Sequence, residues 1–119
     1  MKIITTFFIL LSVIKSFSQD TITTKQVNQY LNKEVVLKGK IVNIKDYQTD
    51  KGDKMVFIDI DDKYPNNLIS IAIYEGVLSQ IKPSIYEFLN KQVLVKGTIT
   101  KYKKVPFIEL KKPEFLKPI

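Results

Sequence analysis

Val93-Leu-Val-Lys-Gly-Thr-Ile-Thr-Lys-Tyr102, the doublet Lys103-Lys104 and Val105-Pro-Phe-Ile-Glu-Leu110 form the stretch on which the fold turns. Its β-branched residues alternate with polar ones, which predicts a strand over 92–102, a tight turn at Lys103-Lys104 and a second strand over 105–111. Gly97 falls mid-strand, where glycine marks a bulge or a sharp bend. The same wording occurs upstream in Glu34-Val-Val-Leu-Lys-Gly-Lys-Ile-Val-Asn-Ile-Lys45, where Gly39 takes the place of Gly97. At an offset of 58, Val27, Tyr30, Leu31, Asn32, Lys33, Val35, Lys38, Gly39 and Ile41 match Ile85, Phe88, Leu89, Asn90, Lys91, Val93, Lys96, Gly97 and Ile99. Each set reads as a short helix, an Asn-Lys exit and a strand with a central Lys-Gly. A duplication explains the echo, and so does one packing problem solved twice.

Between these stretches the pattern predicts two more strands. Residues 55–61 alternate with Val56, Ile58 and Ile60 on one face; residues 68–75 place Ile69, Ile71 and Ile73 on one face and Ser70, Ala72 and Tyr74 on the other. The polar segments 46–54, with Gly52, and 62–67 read as a hairpin loop and a turn cluster. Thr24 is expected to cap a short helix over 25–32. Over 77–90 the period changes to about 3.6. Pro83 suits a first helical turn, and Ile85, Phe88 and Leu89 share a face. Pro113 and Pro118 are expected to break up the tail.

Three strands, a helix and two strands is the order of a five-stranded Greek-key barrel, with bent first and fourth strands. The hairpin of 93–102 and 106–110 resembles the closing hairpin of OB-fold nucleic-acid-binding domains of the tRNA-anticodon-binding type, and the chain looks like the small exported single-OB proteins of bacteria. The resemblance spans about residues 33–116. It implies an all-β fold of small α content, with the helix between strands three and four and a short N-terminal helix besides. One departure is Lys104, at a turn position where such domains often carry glycine.

Composition limits the chemistry. The 119 residues include 19 lysines and arginines, 12 acids, and no histidine, cysteine or tryptophan. All 19 cations are lysine. The vocabulary of Ser-His-Asp and Cys-His pairs, of thiolate or imidazole metal sites and of redox pairs is missing, so a binder is expected rather than an enzyme, without metal or cofactor. Lysine also lacks the bidentate fork of arginine. Residues 1–18, MKIITTFFILLSVIKSFS, have the layout of a secretory signal peptide cut after Ser18, leaving one domain over 19–119, secreted or periplasmic and without stable membrane insertion. The alternative is an uncleaved anchor, since Lys15 interrupts the run. With no cysteine, a lipoprotein anchor is not expected. Residues 19–90 hold nine lysines and ten acids, whereas 91–119 hold eight lysines and two acids. The positive excess therefore lies around the last hairpin.

The resemblance implies ligand binding on the face of strands two and three, flanked by the loops after strands one and four. The residues that suit single-stranded DNA or RNA there are Tyr47, Phe57, Tyr74, Tyr102 and Phe107 as platforms and Lys101, Lys103 and Lys104 as phosphate contacts. Asp59 and Asp61, on the face of Phe57, are expected to repel phosphates, which favours the alternative of a protein- or glycan-interaction module in the periplasm. The clusters Asp46, Asp50, Asp53 and Asp59, Asp61, Asp62 lack calcium-loop spacing and read as solvated loops.

Overall fold

The computed structural model describes residues 21–119; the proposed signal segment and its cleavage site lie outside them. Seven strands form one mixed sheet: β1 Thr21–Ile22, β2 Glu34–Gln48, β3 Lys54–Ile60, β4 Ser70–Tyr74, β5 Gln92–Tyr102, β6 Val105–Glu109 and β7 Leu116–Pro118. The neighbour order is β1-β2-β3-β4-β6-β5-β7, and β2 also pairs with β5. The pairings β2–β3, β3–β4, β5–β6 and β2–β5 are antiparallel, and β4–β6 is parallel. These five strands are therefore joined in a circuit, with β1 and β7 added at its edges.

Two long strands make the circuit possible by changing partners along their length. Residues 34–40 of β2 face β5, and residues 41–48 face β3. Residues 92–98 of β5 face β2, and residues 99–102 face β6. A glycine sits beside each change. A Cβ on Gly39 would lie 2.3 Å from Ile60 Cγ2, and one on Gly97 would lie 2.4 Å from Ile108 Cγ2. Both distances are far inside van der Waals contact, so only a hydrogen lets the strands cross this closely.

The enclosed core is aliphatic. Ile41, Ile58, Ile60, Ile69, Ile71, Ile73, Ile99 and Ile108 are fully buried. Among the described residues Phe88 is the aromatic buried with them, and Tyr30 and Phe115 pack partly against the same core. The isoleucine faces of β3 and β4 point inward as their alternation requires.

Several expectations are corrected. The segment 77–90 is not one helix: a four-residue helix α1, Glu75–Leu78, is followed by a 3-10 turn at Ile85–Phe88. Gly76 lies inside α1 instead of simply ending β4. Pro83, without an N–H and restrictive for the residue before it, precedes the 3-10 turn, and Ser84 Oγ accepts the Tyr86 N–H at 3.3 Å to cap it. Ile85 and Phe88 are buried, but Leu89 is exposed. The N-terminal helix is a 3-10 segment, Thr24–Gln29, entered through Thr23, whose N–H donates to Gln26 Oε1 at 3.0 Å. Thr24 instead donates its hydroxyl to Asp61 Oδ2 at 2.9 Å. The C-terminal tail is interrupted at Pro113, which opens a 3-10 turn over Pro113–Phe115, but not at Pro118: Leu116–Pro118 pairs with Val93–Val95, and Pro118 is tolerated because β7 is an edge strand.

Candidate functional site

An open groove of about 520 Å³ crosses the outer face of β3, β4 and β6. Its floor is made by the middle of β4. Ala72 stands opposite Phe57 on β3, and Ser70 stands between Asp59 on β3 and Phe107 on β6. Two small residues in a row keep the centre low while larger side chains rise around it.

The walls are aromatic. Tyr47 comes from the end of β2, Phe57 from β3, Tyr64 from the β3–β4 loop, Tyr74 from the end of β4, Tyr102 from the end of β5 and Phe107 from β6. Four of the chain's six tyrosines therefore meet at one place. Tyr47 and Phe57 form an edge-to-face pair with centroids 5.1 Å apart and planes at 83°, which fixes both rings. Tyr64 and Tyr102 are about two-thirds exposed, and Tyr47 and Tyr74 nearly half. A phenol has a hydroxyl that solvent satisfies and a face that stays available for stacking.

Cations flank the rings. Lys45 Nζ lies 4.5 Å from the Tyr64 ring centroid, and Lys103 Nζ lies 5.4 Å from that of Tyr102. Lys101, Lys103 and Lys104 are exposed at the β5–β6 tip beside Tyr102 and do not line the groove floor. The turn joins Tyr102 to Val105 through two residues only. Both occupy the left-handed region, Lys103 at φ 51° and Lys104 at φ 70°, a geometry that Asn-Gly adopts most easily. The expected departure from glycine at Lys104 is thus a strained, doubly charged tip.

Asp59 and Asp61, expected to repel a polyanion, differ in placement: Asp59 is among the residues lining the groove and Asp61 is not. Asp59 is buried and accepts from Tyr64 N–H at 3.1 Å, Asn43 Nδ2 at 3.2 Å and Asn67 Nδ2 at 3.4 Å. Its carboxylate holds the β3–β4 loop and so stations Tyr64 on the groove wall. Asp61 leaves the strand at φ 67° and turns its carboxylate away, to the Lys40 N–H at 2.8 Å and the Thr24 hydroxyl.

Of the eight residues expected at the site, the groove brings together Tyr47, Phe57, Tyr74, Tyr102 and Phe107, with the three lysines alongside. Sequence reasoning missed Lys45, Met55, Tyr64 and Val105. Lys45 has the parity of Tyr47 in β2, so a longer alternation would have found it; Tyr64 lies in an irregular loop where no period exists.

A second cleft of about 410 Å³ is bounded by Asp46, Tyr47, Gln48, Lys54, Met55, Leu78 and Tyr86. There the Tyr86 hydroxyl donates to Asp46 Oδ1, and this bond, more than desolvation or the nearby negative charge, raises the Tyr86 pKa above the ordinary phenol value of 10.0. Among the described residues no group of histidine, cysteine or acidic side chains is arranged to hold a metal ion, and no helix is long and apolar enough to cross a membrane.

No family model matches this chain, and no curated protein matches it. Among solved structures, a candidate nucleic acid-binding lipoprotein from Klebsiella pneumoniae subsp. pneumoniae MGH 78578 is similar at 14% sequence identity and a TM-score of 0.45, over 81% of this chain and 77% of that one. A likeness this distant leaves fold and site to be argued from the residues themselves.

Proposed function

We propose that this chain is a binding module, not an enzyme, that holds single-stranded DNA or RNA in the aromatic groove without sequence preference. The carrying observation is the convergence of six rings from five strands and a loop on one open groove, with Lys45 and the lysine tip beside it. Every base has a π-face, so successive bases stack on Tyr74, Phe57 and Tyr102 whatever their identity, at about 1–3 kcal/mol for each ring. The lysines supply point-charge contacts to phosphates. Asp61 is turned away from the groove, to the Lys40 N–H and the Thr24 hydroxyl, and the carboxylate of Asp59 is engaged by the Tyr64 N–H, Asn43 and Asn67. In this reading the circuit of β2, β3, β4, β6 and β5 is an OB-fold barrel, supported by its pairing order, the parallel β4–β6 contact and the two close-approach glycines. Export through cleavage after Ser18 belongs to the same proposal, and N-terminal sequencing of the mature chain tests it.

Fluorescence anisotropy with a labelled single-stranded oligonucleotide at low and near-physiological salt tests the function. Affinity is expected to be micromolar or weaker and to fall steeply with salt. Tyr74→Ala and Tyr102→Ala are each expected to weaken binding by roughly 5- to 150-fold. Absence of binding at low salt, or binding indifferent to both substitutions, overturns the reading in favour of a protein or glycan ligand.

A further inference from the structure

We propose that the outer face of the sheet formed by β2, β5 and β7 docks on an anionic phospholipid surface. This proposal is independent of what the groove binds. On these strands Leu37, Val93, Val95 and Leu116 are buried in the core, so the residues that alternate with them point outward. The strand register then sets three rows. Lys38 stands beside Leu94, and Leu94 beside Lys117; Lys40 stands beside Gln92; Thr21, Val36 and Lys96 make the third row, whose centre, Val36, is itself buried, so the accessible part of the face is the first two rows. Neighbouring rows are about 6.8 Å apart along the strands and neighbouring strands about 4.8 Å apart, so Lys38, Lys40 and Lys117 form a compact lattice of ammonium groups, with Lys96 at its margin. Lys112 joins its rim: it and Lys96 place their Nζ atoms 5.5 and 5.1 Å from the Phe115 ring centroid. Glu34, at one corner, is the one acid among these registered positions.

This face differs in kind from the groove. Apart from Phe115 at the rim it presents no ring among the described residues, and no cavity among those described opens between its lysines. Bases have nothing to stack on there, so the chemistry it recognises is phosphate displayed on a surface. A half-buried leucine encircled by lysines suits a headgroup layer: the long stems lie over apolar surface while the ammonium groups reach outward to the phosphates. A convex duplex would touch little more than one row. Each lysine held near an anionic leaflet adds to the attraction, and a cluster of this size gives reversible, salt-sensitive adsorption.

The test is co-sedimentation of the full chain with phosphatidylcholine vesicles that contain or lack phosphatidylglycerol, at low and at physiological salt. Lys2 and Lys15 give residues 1–18 a charge-dependent contribution of their own, so the deciding readout is the loss of phosphatidylglycerol-dependent binding in a variant that keeps residues 1–18 intact. Binding that requires phosphatidylglycerol and weakens with salt is expected. The triple variant Lys38→Ala, Lys40→Ala, Lys117→Ala, whose fold is checked by circular dichroism, is expected to lose at least about tenfold in that binding. Tyr102→Ala is expected to sediment like the parent, and the triple variant to keep its affinity for a single-stranded oligonucleotide. No preference for anionic vesicles at low salt overturns the proposal. So does a triple variant that sediments like the parent, or one that loses duplex DNA while keeping the vesicles.

Discussion

The segments 27–41 and 85–99 are one backbone device used twice. In each, a 3-10 turn ends in an asparagine at positive φ, Asn32 at 65° and Asn90 at 67°, a region asparagine tolerates better than most residues. Each exit then bonds to the strand of the other half. Asn32 N–H donates to Ile99 O and Asn90 N–H to Ile41 O, both at 2.6 Å; Ile99 N–H donates to Lys33 O at 3.1 Å and Ile41 N–H to Lys91 O at 3.0 Å. The β2–β5 ladder is centred on Leu37 opposite Val95, positions that are themselves 58 apart. Beyond Ile41 and Ile99 the halves diverge. Strand β2 runs seven residues further to a glycine-containing loop, whereas β5 runs three and turns on two lysines. Those divergent ends supply Lys45, Tyr47 and Tyr102 to the rim of the groove, around the floor that β3, β4 and β6 provide. The shared device makes the scaffold, and the divergence makes the rim of the surface that the scaffold carries.

The strongest way to break the equivalence is to fill both crossings. Gly39→Ala and Gly97→Ala each push a methyl into the Cγ2 of a buried isoleucine, and each is expected to destabilise by about 1–3 kcal/mol in urea unfolding. The first should cost more, because a Cβ there also lies 3.1 Å from Asp61 Oδ1, which holds the Lys40 N–H. Nothing corresponding crowds Gly97. Ile60→Leu and Ile108→Leu, which remove the offending Cγ2, should each recover part of the loss in its own half only. Equal costs without rescue would mean that the glycines serve chain flexibility instead of close approach.

A smaller effect, and one of mixed sign, is expected at the hairpin tips. In the β2–β3 loop the positive φ falls on Gly52, at 89°, without strain. At the β5–β6 tip it falls on Lys103 and Lys104, each left-handed residue costing roughly 1 kcal/mol. Replacing the pair by Asn-Gly should raise stability by about 1–2 kcal/mol, measured as a shift in Tm. The same double variant should weaken oligonucleotide binding and lower its salt slope by about 1.4, the share of two single-strand phosphate contacts. A gain in stability with unchanged binding would show that the tip lysines do not touch the ligand.

How much of this was legible in the sequence follows from where periodicity operates. Alternation placed the isoleucines of β3 and β4 inward and Phe57 and Tyr74 outward, because a half-buried strand leaves a period-two record. The repeated Lys-Gly revealed the two bends for the same reason. Tyr64 left no record: it reaches the groove through the buried Asp59, and a hydrogen-bonded loop has no period. Alternation placed Asp59 on the outer face of β3 with Phe57, but it gives a direction and not a depth, so the burial of Asp59 beneath its bonds to Tyr64, Asn43 and Asn67 left no record. The period of 3.6 over 77–90, with Pro83 suited to a first helical turn, predicted a helix there, but the segment beyond Pro83 is too short to be more than a 3-10 turn at Ile85–Phe88. The tail was read as broken by both its prolines, yet at Pro118 an edge strand needs few N–H donors, and Val93–Val95 offers it a partner.

The smallest expected effect isolates a side-chain tie for which the repeat offers no mirror. Tyr86, in the second half, donates to Asp46, in the extension of the first; positions offset by 58 are Asn28 and Lys104, which have neither a phenol nor a carboxylate. The bond keeps the phenol protonated, so the folded state holds this proton to a higher pH than the unfolded chain does. Stability from the tie is therefore complete below the unfolded phenol value of about 10 and drains away as pH rises through the raised folded value. Tyr86→Phe should cost less than about 1 kcal/mol near neutrality, because the pair is exposed to water. Above pH of about 10 the variant should lose stability less steeply than the parent, so the two unfolding curves converge in alkali. Asn28→Tyr, by contrast, should change nothing in that range, since Lys104 offers no acceptor; a parallel alkaline decline in parent and Tyr86→Phe would show that the tie does not form in solution.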